Sequence, residues 1–290
     1  MNKQRLARLS ALCFAVSIMV GCGSGNSDSD PSQPAQTETS LTQSPTSDDA
    51  ELAGVESELA SLDADLEVIV LEKGSEIGAH ILSGAVIDPK ALNELFPDWK
   101  DRGAPLETPV TEDRFLLLGP QGQASLPMAM LPPFMHNHGC YIASLGNVTR
   151  WLGEQAEALG VEVYPGMAAS HVVWDEPSGR VKGVVAGVFG IDRHGKPTDD
   201  FQPGIELHGK YVFIAEGVRG SLAKTIIAKH RLQDGRSPQK YGIGLKELWQ
   251  VPADKHQPGL AQHTTGWPLD EHTGGGSFLY HFGDRYVAIG

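Results

Sequence analysis

Two acid-glycine turns carry most of the chemistry open to this sequence. The first acid, Glu72, closes Leu66–Leu71, a nearly unbroken apolar run rich in β-branched residues that suits a strand buried on both faces of a parallel sheet. A carboxylate at the tip of such a strand is placed to accept hydrogen bonds from the ribose hydroxyls of a dinucleotide; a plain strand ending in a solvated Glu72-Lys73 pair would read the same. Gly74, Gly78 and Gly84 then leave the backbone bare around His80-Ile81-Leu82-Ser83, as a loop must be for a flat cofactor to lie against it. The second acid, Glu216, is followed by Gly217. It comes after the apolar run Leu207–Ala215 and before a predicted helix from Leu222 to about Lys229. Strand, acid-glycine turn and helix N-terminus make an anion-accepting geometry; an ordinary crossover gives the same pattern.

Other candidates are weaker. His136 and His138 stand at i and i+2 with no third ligand close in sequence, which makes a poor zinc site, and no metal site is expected. No residue set suggests a general acid, base or nucleophile. The three cysteines, Cys13, Cys22 and Cys140, form neither a disulfide framework nor a set of four cluster ligands. The formal charge of −13 is unevenly spread: residues 23–65 hold ten acids and no Lys or Arg, whereas residues 66–290 hold 20 basic and 26 acidic groups. A mildly acidic folded part argues against a nucleic-acid partner.

The elements that must position these residues alternate between helix and strand. Spacing predicts a short amphipathic helix over residues 50–62 and one or two helical turns from Lys90 to Phe96. A hairpin is expected around Gly119-Pro120-Gln121-Gly122. The Pro- and Met-rich run Leu126–Met135 fits neither regular helix nor central strand. Asn147 is read as the cap of a helix running to about Leu159, with Val148, Trp151, Leu152 and Leu159 on one face and Gly160 as its stop. Val161–Tyr164 reads as a strand. Ser170–Asp175 and Arg180–Val188 read as a hairpin, with a further strand over Val188–Asp192. A new sheet is expected to begin within Tyr241–Trp249, and Val287–Gly290 ends the chain in an apolar strand.

The long irregular stretch from Glu72 through Leu95-Phe96-Pro97-Asp98-Trp99-Lys100, Gly103-Ala104-Pro105-Leu106 and Thr108–Phe115 resembles the electron-transfer flavoprotein:ubiquinone oxidoreductase family, as does nearly everything from Asp65 to Gly290. The resemblance implies an α/β, FAD-binding Rossmann-like flavoprotein fold, incomplete here, with an inserted β meander and part of a quinone-binding β region. It also implies passage of electrons from reduced electron-transfer flavoprotein through FAD to ubiquinone, at a membrane surface. The cofactor would carry the redox chemistry and the protein would position it. Carried onto this sequence, Glu72 binds ribose, and the loop with Gly78, His80, Ser83 and Gly84 lines the flavin. Glu216 and Gly217 support the phosphates, and Gly275 and Gly276 face the quinone; a glycine bulge that merely bends a strand is the alternative for that pair. The family's membrane-dipping segment corresponds to Leu92, Leu95, Phe96 and Trp99, which could equally pack into the domain's own core.

The sequence departs from the family at four points. No GxGxxG precedes strand Leu66–Leu71, which removes that strand's expected ladder partner and the main phosphate cradle. The family's Asn-His-Gly-Asn-Tyr segment has Cys140 in place of its second Asn. The family's four-iron cluster has no ligand cysteines here. Residues 1–22 resemble a lipoprotein-type signal: Lys3, Arg5 and Arg8 are followed by apolar Leu9–Val20 and by Cys22 as the lipidation site, although a cleaved secretory signal or an upstream extension would look similar. Residues 23–50 read as a disordered acidic tether, and residues 51–290 as the partial FAD- and ubiquinone-binding domain. The leader implies lipid anchoring at a bacterial cell envelope, whereas the family implies the inner face of an energy-transducing membrane. Two other readings stay open: an inactive lipid-tethered remnant or binding protein, and a related FAD-dependent reductase of lipid or isoprenoid substrates.

Overall fold

A computed structural model describes residues 67–290 except Ser83 and Glu271. The leader with Cys22, the tether and the helix expected over residues 50–62 lie outside the described residues. Strands β1 (Ile69–Glu72) and β2 (Gly84–Ile87) precede helix α1 (Lys90–Leu95). Strands β3 (Thr108–Pro109), β4 (Glu112–Gly119), β5 (Gly122–Leu126) and β6 (Tyr141–Ser144) lead to helix α2 (Leu145–Ala158). Next come β7 (Glu162–Pro165), β8 (Ala169–Asp175), β9 (Arg180–Ile191), β10 (Pro197–His208) and helix α3 (Ser221–His230). The chain closes with β11 (Glu247–Gln250), β12 (Leu260–Gly266), β13 (Ser277–Phe282) and β14 (Tyr286–Ile289).

These strands form four sheets in an α/β arrangement: the parallel pair β1-β7, the antiparallel meander β10-β9-β8, the six-stranded β11-β14-β13-β12-β4-β5, and the three-stranded β2-β6-β3. In the six-stranded sheet β4 and β12 run parallel, with Leu260 opposite Glu112 and Gly266 opposite Leu118.

Two cores hold the sheets. In the first, Leu92, Phe96 and Trp99 pack against Val148, Trp151 and Leu152 of α2. Phe96 meets Trp151 edge-on at 5.6 Å, and Trp99 Nε1 donates to Asn93 Oδ1 at 2.8 Å. Burying each such side chain contributes about 1.5–3 kcal/mol. The second core joins Val110 and Ile142 to Ala261, Tyr280, Phe282 and Ala288, between the three- and six-stranded sheets.

Several expectations are corrected. β1 is not buried on both faces: Ile69 is exposed, and among the described residues β1 pairs with β7 alone. The cap of α2 is Ser144, whose Oγ accepts from Asn147 N–H at 3.4 Å, so Asn147 lies inside the first turn. At the other end Gly160, with φ +94°, supports the Gly160 N–H to Glu157 O and Val161 N–H to Ala156 O bonds of a Schellman stop. The strand expected over Val188–Asp192 is a continuation of β9, because Gly187 and Gly190 take positive φ and bend the strand without ending it. Leu207–Ala215 is a strand only as far as His208; Tyr211 and Phe213 beyond it are exposed. Of the two readings left open for Leu92, Leu95, Phe96 and Trp99, the structure bears out the core: Leu92, Phe96 and Trp99 are almost fully buried and Leu95 packs against the same cluster. No helix among the described residues is long and apolar enough to cross a membrane.

Candidate functional site

Glu72 ends β1 half-buried, and its Oε1 accepts the Gly74 N–H, turning the chain sharply. The turn is tied to the one after β7: Met167 N–H donates to Glu72 O at 2.9 Å and Gly166 N–H to Gly74 O at 2.6 Å. The glycine loop then lies on the first turn of α2. Gly78 has φ +82°, and a Cβ on it would stand 2.4 Å from Gly146 O. Gly84 opens β2 opposite Ser144. A side chain there would stand 2.6 Å from Ala288 Cβ and 2.9 Å from Phe282 Cε1. Gly78 and Gly84 therefore meet at the Ser144–Gly146 corner, with the ends of β13 and β14 beside them. His80 is exposed, and Ser83 lies outside the described residues.

Glu216 is arranged differently. Its Oε1 accepts Leu222 N–H at 3.1 Å and its Oε2 accepts Ala223 N–H at 2.9 Å. The carboxylate thus satisfies the first turn of α3, where a phosphate would otherwise be received. Gly217 supplies the positive φ, +77°, that folds the acid back onto the helix. Among the described residues the hydrogen-bond partners of these two oxygens are in α3, away from the Glu72 turn.

The glycine pair lies at the end of the six-stranded sheet. Thr265 Oγ1 donates to Gly275 O at 3.2 Å, and the hydroxyls of Thr264 and Ser277 bond at 2.6 Å. A Cβ on Gly276 would stand 2.1 Å from Thr264 O, so the close approach of the chain to itself already demands glycine here. His263, one residue before Thr264, bonds through Nε2 to Tyr280 Oη at 2.7 Å. Burial lowers the His263 pKa, with the nearby Asp113 carboxylate working the other way, and burial raises that of Tyr280. Asp113 is itself clamped by Asn137, through the backbone N–H at 2.8 Å and Nδ2 at 3.0 Å.

His136 donates from Nε2 to the carbonyls of Met128 and Leu131, at 2.9 and 3.1 Å, and so ties down the Pro- and Met-rich loop. Burial, then Asp88 and Asp113, push the Cys140 thiol pKa up. His281 is 6% exposed, and its Nδ1 accepts Gln257 N–H at 3.0 Å. Its pKa is lowered by burial, then by His256 and Arg114. The His263–Tyr280 pair was not found by sequence reasoning. The one local signal is that His263 shares a strand face with Ala261 and Thr265, and it does not point to a tyrosine 17 residues away.

Residues 241–290, which include the glycine pair, match the family model described as ETF-QO, ubiquinone-binding. This sheet end therefore resembles the ubiquinone-binding part of that family. The chain belongs to the electron transfer flavoprotein-ubiquinone oxidoreductase family. It is 52% identical to the enzyme of that name from Pseudomonas aeruginosa over 228 residues, covering 78% of this chain and 41% of the relative. It is 53% identical to the mitochondrial enzyme of Bos taurus over 234 residues, covering 80% of this chain and 37% of the relative. The chain thus spans about two fifths of the length of the curated relatives it matches. Among solved structures, a flavin-dependent halogenase from Brevundimonas aligns with a TM-score of 0.47 at 15% identity, over 78% of this chain and 50% of that one. A geranylgeranyl bacteriochlorophyll reductase-like protein from Thermoplasma acidophilum aligns at 0.46 and 15%, over 77% and 49%.

Proposed function

We propose that this chain supplies the flavin- and quinone-facing parts of an oxidoreductase that takes electrons from reduced electron-transfer flavoprotein and passes them through FAD to ubiquinone. The observation that carries the reading is identity of 52% sustained over 228 residues. FAD, when bound, supplies the redox chemistry.

The residues present fit that cofactor unevenly. Glu72 spends one oxygen on Gly74 N–H and keeps acceptor capacity for ribose hydroxyls. The loop through Gly78, His80, Ser83 and Gly84 would face the flavin. Its glycines are also demanded by contact with Gly146, Phe282 and Ala288, which holds the loop in place. Glu216 and Gly217 fit a phosphate poorly, because the carboxylate already fills the N-terminus of α3; their part is to shape that turn. Gly275 and Gly276 present backbone to the quinone.

In this reading the protein works at a membrane surface, with Cys22 as a lipid anchor. The one ladder neighbour of β1 among the described residues favours a second reading, a lipid-tethered binding protein without turnover. Absorbance of the purified chain tests the choice. Near-stoichiometric FAD, weakened by Glu72→Ala, supports the oxidoreductase; colourless protein that also fails to bind ubiquinone overturns it.

A further inference from the structure

Two backbone glycines can receive a flat ring, but a quinone also presents carbonyl oxygens that need donors. Resting on the quinone reading of Gly275 and Gly276, the question is which side chain supplies one. Thr265 and His263 are two residues apart on β12, so strand alternation puts their side chains on the same face. Thr265 Oγ1 reaches Gly275 O at 3.2 Å, which places the glycine turn over that face. His263 stands opposite Phe278, two residues beyond Gly276 on the partner strand.

The bond between His263 Nε2 and Tyr280 Oη can run in either direction, and the need to pair the buried tyrosine proton selects one of them. Tyr280 is 8% exposed, and a buried hydroxyl needs an acceptor for its proton. Among the described residues the group within hydrogen-bond reach of Tyr280 Oη is His263 Nε2, at 2.7 Å. Nε2 therefore receives, and the neutral ring carries its proton on Nδ1. Among the described residues Nδ1 has no hydrogen-bond partner. His263 is half-buried.

We propose that His263 donates the hydrogen bond from Nδ1–H to a carbonyl of the bound benzoquinone, in the tautomer that Tyr280 fixes. Tyr280 is the positioning residue. Phe278, stacked on Tyr280 at 4.5 Å, holds the tyrosine ring in place. Neither the glycine pair nor the acid turns supply this contact.

Binding of ubiquinone-1 to the full chain, followed by quenching of tryptophan fluorescence, tests the assignment. His263→Asn keeps an amide N–H near the Nδ1 position and should bind within about twofold of the parent. His263→Gln reaches toward Tyr280 but leaves no donor at that position; it and His263→Leu should bind about 3- to 10-fold more weakly. Tyr280→Phe frees the tautomer and should weaken binding about threefold, the lower end of that range. Circular dichroism melts check that each variant is folded. Parent-like affinity in folded His263→Gln, or a loss in folded His263→Asn equal to that in His263→Leu, overturns the assignment while leaving the quinone site standing. Absence of saturable binding by the parent chain overturns both.

Discussion

Glu72 and Glu216 look alike along the chain, each following an apolar run and each followed by glycine within two residues, yet the fold treats them differently. Glu72 ends a strand with a ladder partner, and the loop after it is wedged against α2 by Gly78 and Gly84. Glu216 ends an extended segment with exposed neighbours and turns its carboxylate onto its own helix. A strand-acid-glycine pattern thus locates a turn but does not say whether that turn's hydrogen-bonding groups remain open to a ligand. Tertiary packing decides that.

Four measurements test the contrast. The largest effect is expected from core deletion near the first turn: Phe96→Ala, at a residue 1% exposed, should cost about 3–5 kcal/mol in denaturant unfolding. Phe213→Ala, at a residue 58% exposed near the second turn, should stay within about 0.5 kcal/mol. Equal losses would erase the distinction. Next, Gly78→Ala combines a left-handed backbone with a clash against Gly146 O and should cost about 2–4 kcal/mol. Gly217→Ala meets the backbone term alone, about 1–2 kcal/mol.

Smaller again is the helix cap. Glu216→Ala should lower stability by about 1 kcal/mol and fray α3 by circular dichroism. Glu72→Ala should change stability less but weaken FAD binding, so the two acids should separate by readout. The smallest effect concerns pH. The folded states of His281 and His263 resist protonation, while the unfolded chain takes up protons below the ordinary histidine value of 6.5. Their contribution is therefore complete above that value and declines as pH falls toward the lowered values of the fold. Thermal melts should show stability falling between pH 7 and pH 5. His281→Asn, which keeps an acceptor for Gln257 N–H, should flatten that slope.

Local structure is legible wherever a residue acts on its own neighbours. Gly160 stops α2 as its position suggests, and Gly119-Pro120-Gln121-Gly122 turns β4 into β5. What is illegible depends on distant partners. The apolar face of Leu92, Phe96 and Trp99 is plain from spacing, but spacing does not say whether lipid or α2 covers it. The role of Gly84 depends on Ala288, and the tautomer of His263 on Tyr280, contacts that leave no periodic trace. The family resemblance extends legibility to the likeness of the glycine pair. It does not reveal that Gly276 is also fixed by Thr264 O.

The parallel pairing of β4 with β12 also has a consequence for biosynthesis. Thr111 and Pro258, which meet just before that ladder, are 147 residues apart in the chain. The β4-β5 hairpin therefore emerges from the ribosome long before the strand that completes its sheet. Closing so long a loop slows folding far more than it costs stability. Until β12 arrives, one edge of β4 and the apolar side chains of Val110 and Ile142 lack their final cover. During that interval the nascent chain is the form most in need of chaperones.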